Sequence, residues 1–114
     1  MAIGGAFDVL PAQKVVTLKP RNPTAADVSI RAVRRPWTQL EAARFGEGLI
    51  NQGPERAAFL LKNKSTAGVA TVPRTDWLIT DADGNTWSIL QVIRELEDTD
   101  GPQIYRCSVA KQQS

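Results

Sequence analysis

The run Trp77-Leu-Ile-Thr-Asp-Ala-Asp-Gly-Asn-Thr-Trp-Ser-Ile-Leu-Gln-Val-Ile93 carries the decision about fold. Two segments of β-branched, aromatic and aliphatic residues, 77–80 and 86–93, flank Asp81-Ala-Asp-Gly-Asn85, whose Gly84 and Asn85 tolerate positive φ. This is the pattern of a β-hairpin. Downstream, Glu97-Asp-Thr-Asp-Gly-Pro102 reads as a second turn. Residues 103–110, which alternate in polarity, are expected to pair antiparallel with the strand before them. A three-stranded meander results.

Working toward the N-terminus, Pro and Gly punctuate short segments, as in an all-β barrel or sandwich. Lys14-Val-Val-Thr-Leu-Lys19 is a β-branched strand stopped by Pro20, and Pro20-Arg-Asn-Pro-Thr24 is a turn. In residues 27–34, Val28, Ile30 and Ala32 alternate with Ser29, Arg31 and Val33, as in a half-buried strand. Thr38-Gln-Leu-Glu41 matches a capping box and predicts a short helix through residues 39–44, closed by Gly46 and Gly48. Residues 54–62 suit either a helix begun by Pro54 or a buried strand, and periodicity does not choose between them. Residues 1–12 read as an extended arm, and residues 62–72, with Ser65, Thr66 and Gly68, as a long mobile surface loop suited to binding or ordering. The expectation is a single, mainly β domain over 114 residues: a small antiparallel β-barrel or sandwich with one short helix and a long mobile loop.

The chemistry is narrow. With no His in the sequence, Ser–His and Cys–His pairs and His-ligated metals have no members to form them. Asp81, Asp83, Asp98 and Asp100 all lie in turns, where Asp bonds its own backbone. The stretch 81–85 differs from an EF-hand loop, since its Gly is fourth and strand residues follow. The single Cys107 reads as a small buried hydrophobe. No catalytic residue, cofactor or metal ligand is therefore expected, and binding to other proteins is. The opening residues lack a basic stretch followed by an apolar run, and no segment has the roughly 18 apolar residues of a membrane helix. The expectation is synthesis in the cytoplasm and no membrane contact.

Charge is close to balance, 14 Lys plus Arg against 12 Asp plus Glu, so any anion-binding role must come from local patches. Lys19, Arg21, Arg31, Arg34 and Arg35 gather in the N-terminal half, either as solvated surface or as contacts to an acidic partner or a phosphate backbone. Lys62, Lys64, Ser65 and Thr66 occupy the predicted loop and join them as candidate contacts. Trp77 and Trp87 are expected in the core, whereas Trp37, after Arg34-Arg-Pro36, is expected to be exposed and available to a partner.

The order Pro73-Arg-Thr-Asp76-Trp-Leu-Ile, Asp83-Gly-Asn-Thr-Trp87-Ser-Ile-Leu-Gln-Val92, Gly101-Pro-Gln-Ile-Tyr-Arg-Cys-Ser-Val-Ala-Lys111 resembles the head-closure, or head–tail connector, proteins of tailed phages. The resemblance covers residues 74–111. It implies a small β-barrel that assembles with itself as a hexameric or dodecameric ring in the neck of the virion. The portal or adaptor protein would lie above it, tail proteins below it, and packaged DNA within reach. Such a ring closes the DNA exit and offers a surface for tail docking, with residues 62–72 lining or plugging the channel. The alternatives are a tail-terminator or minor tail protein, and a small barrel that binds single-stranded nucleic acid. The last needs an aromatic stacking platform beside a basic groove.

Overall fold

A computed structural model describes residues 7, 10–22, 24–46, 55–95, 101 and 103–112. Six strands and one helix follow one another as β1 (Lys14–Lys19), β2 (Val28–Pro36), α1 (Gln39–Arg44), β3 (Arg56–Ser65), β4 (Leu78–Thr80), β5 (Thr86–Glu95) and β6 (Ile104–Lys111). They close into an antiparallel barrel in the order β1-β2-β3-β6-β5-β4. The meander β4–β5–β6 forms from the hairpin and second turn, with Ile79 opposite Trp87 and Val92 opposite Cys107. Closure comes from two distant pairings, Phe59 opposite Cys107 between β3 and β6, and Leu18 opposite Ile79 between β1 and β4. A closed barrel leaves no unpaired sheet edge.

The inward faces supply Val16, Leu18, Ile30, Ala32, Ala57, Phe59, Leu61, Ile79, Trp87, Ile89, Tyr105, Cys107 and Val109, packed as one core. Trp87 is fully buried and meets the edge of Phe59, ring centroids 5.7 Å apart. Trp77 packs against the same core from just before β4. In β5 the register shifts between Ile89 and Gln91, so the intervening Leu90 is left 41% exposed and Val92 returns to the core.

β6 departs from the half-exposed strand that its alternation suggests, because Ile104 through Val109 are buried on both faces. Its outer side is covered in three places. Ile104 packs with Phe7, Val33 and Leu60; Ser108 Oγ accepts from Arg56 Nη2 at 2.5 Å; and Arg106 lies beneath α1. Of the residues 1–12 expected as an extended arm, 1–6, 8 and 9 lie outside the described residues; Phe7 is buried, and Leu10 N donates to Phe7 O.

Three other expectations change. Of residues 54–62, 56–62 are strand, since Phe59 and Leu61 point into the core and Ala58 and Leu60 are covered from outside. The loop expected over residues 62–72 begins later, because Lys62, Lys64 and Ser65 belong to β3. Beyond them the chain turns back through a bridge between Lys64 and Ala70. Trp37 is half-buried rather than exposed: it stacks on Phe45 at 6.0 Å, and the Arg56 guanidinium lies 4.4 Å from its ring centroid. The expected closing Gly48, the turn carrying Asp98 and Asp100, and Pro54 lie outside the described residues; Gly46 ends the helix with φ +68°.

The helix forms as its capping sequence predicts, with Thr38 Oγ1 accepting from Glu41 N. Six residues are too few to be stable alone, so tertiary contacts must hold it. Glu41 provides them, accepting from Arg106 Nη1 through both carboxylate oxygens at 2.7 and 2.8 Å, while Arg106 Nε donates to Glu95 Oε1 at 2.5 Å. Burial by itself would lower the Arg106 pKa, but the bonds and charge of Glu95 and then Glu41 outweigh it and raise the pKa above its usual value. Glu41→Ala removes half of this clamp, and we expect a loss of about 3 kcal/mol in urea unfolding. Leu40→Ala, at a 65% exposed neighbour, is expected to change stability by under about 0.5 kcal/mol.

Candidate functional site

The candidate basic residues divide among several surfaces. The most coherent lies where β2 meets β3. Ile30 pairs with Ser65 but Ala32 pairs with Leu61, so one residue of β2, Arg31, spans three of β3, among them Lys62 and Lys64. The β3 end is then tied down by its turn: Thr66 N donates to Ser29 O at 2.9 Å, Ser65 N to Val69 O at 2.8 Å, and Thr71 N to Asn63 O at 3.0 Å. Gly68 takes φ +82°, which the turn requires and which other residues adopt at a cost. The outcome is an open depression of about 340 Å³ lined by Arg31, Lys62, Lys64, Ser65, Thr66 and Gly68. Five of the candidates thus share one site, from two segments some thirty residues apart in the sequence.

The others do not join it. Lys19 and Arg21 line a separate depression with Asp27 and Asp76, and Arg21 Nη1 lies 3.1 Å from Asp76 Oδ2. Both members of that pair are largely exposed, so it adds little to stability. Arg35 is half-buried opposite Ala58. Arg34 stands at the mouth of the barrel, its guanidinium carbon 5.8 Å from the Trp87 ring centroid. There it lines a cavity of about 190 Å³ with Lys14, Val16, Ala32, Phe59, Asp81 and Asp83.

Asp81 organises that mouth. Its Oδ1 accepts from the backbone N–H groups of Asp83 and Asn85 at 3.0 and 2.9 Å, and its Oδ2 accepts from Trp87 Nε1 at 3.0 Å. Gly84 completes the turn with φ +87°. An Asp at this position therefore builds the hairpin and satisfies the one polar atom of the buried indole. With its acceptors so engaged, Asp81 has the bonding of a turn residue rather than of a metal ligand or a general base. Among the described residues no group of three or more His, Cys, Asp or Glu side chains is placed to hold a metal. Cys107 is fully buried, and desolvation pushes its thiol well up from its usual pKa, opposite to what a nucleophile needs. No described helix is long and apolar enough to cross a membrane.

Sequence reasoning missed Arg106, Glu41, Glu95 and Arg56. An Arg at an outward strand position ordinarily faces water, and nothing local indicates that a helix will fold over it. The one available signal was Glu41 itself, whose place in the capping box described only its backbone role. Against known proteins, the chain matches no family model, no curated protein and no solved structure.

Partial burial raises the Asp81 pKa, but the bonds from Trp87, Asn85 and Asp83 prevail and hold it below the ordinary carboxylate value. The stability it contributes is then complete above its unfolded pKa, near 4, and lost as pH falls through the lower folded value. Asp81→Asn turns an amide N–H toward Trp87 Nε1. We expect it to cost about 2 kcal/mol at pH 7, with the difference from the unmodified chain narrowing below about pH 4. Urea unfolding at a series of pH values reads both.

Proposed function

We propose that this protein is a structural subunit of the head–tail junction of a tailed phage, assembling with itself into a ring that closes the DNA exit of the filled head and receives the tail. The observation that supports this most is where the family-like residues fall. The stretch 74–111 contains the whole meander β4–β5–β6, which is half the wall of a closed barrel, the architecture that the resemblance implies.

Two features of the surface agree with such a role. Every strand is paired on both sides, so subunits must join through loops and outer faces rather than by adding strands to an edge. A ring also needs two unlike surfaces on each subunit. The chain has chemically distinct ones: the basic depression at the β2–β3 junction, and the barrel mouth where Asp81 and Asp83 stand beside Lys14 and Arg34. The reading as a single-strand-binding barrel is weaker on the same ground. The three Trp, three Phe and one Tyr are all buried or half-buried, leaving no exposed stacking platform.

Electron microscopy of lysates in which the encoding gene is disrupted tests the proposal. Free tails of normal length, beside heads that packaged DNA and lost it, are the expected result. Intact virions would overturn it, and heads joined to tails of abnormal length would move the protein into the tail as a terminator or minor tail component.

A further inference from the structure

We infer that the cavity at the mouth of the barrel binds a small zwitterion, an α-amino acid with a short apolar side chain. Arg34 and Lys14 take its carboxylate, and Asp83 takes its ammonium. The site is built by a single chain and does not depend on the head-closure reading.

The cavity joins an apolar floor to a rim that carries both signs of charge. Val16, Ala32 and Phe59, which line it, are buried residues of the core. Lys14 of β1 and Arg34 of β2 supply the cations, and Asp81 and Asp83 of the β4–β5 turn supply the carboxylates. Among the described residues no ion pair joins these cations to these carboxylates. Asp81 is engaged by three donors, whereas Asp83 gives only its backbone N–H to the turn. The Arg34 guanidinium carbon stands 5.8 Å from the Trp87 ring centroid, and a guanidinium that meets a ring by its face keeps its N–H fork for a carboxylate. Opposite charges thus border one cavity without neutralising each other.

A strained backbone marks the same place. Ala12 lines the cavity with φ +60°, a conformation unfavourable for a residue with a Cβ. The next residue fixes it: Gln13 Nε2 donates to Phe7 O at 2.8 Å and to Leu10 O at 3.1 Å. Such strain persists only where its surroundings impose it, and it gathers at ligand sites. Barrel mouths are also frequent sites for small molecules. The volume of about 190 Å³ matches about six waters of the liquid, room for a molecule of about eight heavy atoms such as valine. A simple anion would satisfy Arg34 and Lys14 but face Asp83, and a simple cation would do the converse. A zwitterion satisfies both walls, and the apolar floor strengthens both contacts by excluding water.

The test is an NMR titration of the full ¹⁵N-labelled chain with L-valine, beside isovalerate and isobutylamine, which keep the apolar group but carry one charge each. Valine is expected to shift the amides of Lys14, Asp83, Gly84 and Asn85 and the Trp87 indole N–H. Its dissociation constant should be about 1 mM, the order that a ligand of this size reaches. Each singly charged analogue should bind about tenfold more weakly or worse, having lost one charge-assisted contact. Arg34→Gln and Asp83→Asn should each weaken valine by about fivefold or more, while Lys64→Gln, on another surface, changes it less than about twofold. Arg34 and Asp83 are exposed, so both variants should keep the urea midpoint of the unaltered chain. The analogue series on the unaltered chain decides the matter even if a variant fails to fold. No shift at the mouth, valine binding no tighter than either analogue, or an affinity unmoved by Asp83→Asn would each overturn the inference.

Discussion

Trp87 can be buried at the centre of this barrel only because its single polar atom is satisfied. The indole fills the space between β5 and β3, edge-on to Phe59, and Nε1 reaches out of the apolar core to Asp81 Oδ2. A buried N–H without an acceptor would offset much of what the ring contributes. Asp81 can serve because its other oxygen holds the turn that brings it back over β5. The tightness of the hairpin and the filling of the core are therefore one constraint. β4 is only three residues long, yet through this hairpin it presents Ile79 to Leu18 and closes the wall.

The outside of the barrel is organised by a second, polar device. Arg106 could not remain on a buried outer face without both carboxylates, and α1, six residues long, could not remain folded without Arg106. Arg44 near Glu95 adds a weaker contact at the helix end. Phe7 covers the adjoining apolar area made by Val33, Leu60 and Ile104. The wall formed by β3 and β6 is thus covered on its outer side at several points, while the β2–β3 junction near Arg31 and Lys64 is open.

The distribution of charge follows this architecture. A net charge of +2 says little about partners, but its spatial arrangement says more. Acidic residues accompany the cations at the mouth and near Arg21.

Local chemistry made several elements legible. Asp-Gly-Asn between β-branched runs specifies a hairpin, Thr38 with Glu41 specifies a helix start, and the β-branched run before Pro20 specifies a strand; each depends on residues within a few positions of one another. The basic candidates were also visible by type. What sequence could not decide depends on register between distant strands. Residues 56–65 are strand because β2 and β6 flank them, Trp37 is covered because Phe45 and Arg56 reach it, and Arg106 is buried because α1 folds over it. The basic groove exists because a shift of pairing sets Arg31 across from Lys62 and Lys64. By itself, then, the sequence determined turn chemistry, capping and the mainly β class, which follow from near neighbours. Only the tertiary structure decided closure, which outward faces are buried and which cations share a site, because these come from pairings whose geometry no short window of sequence contains.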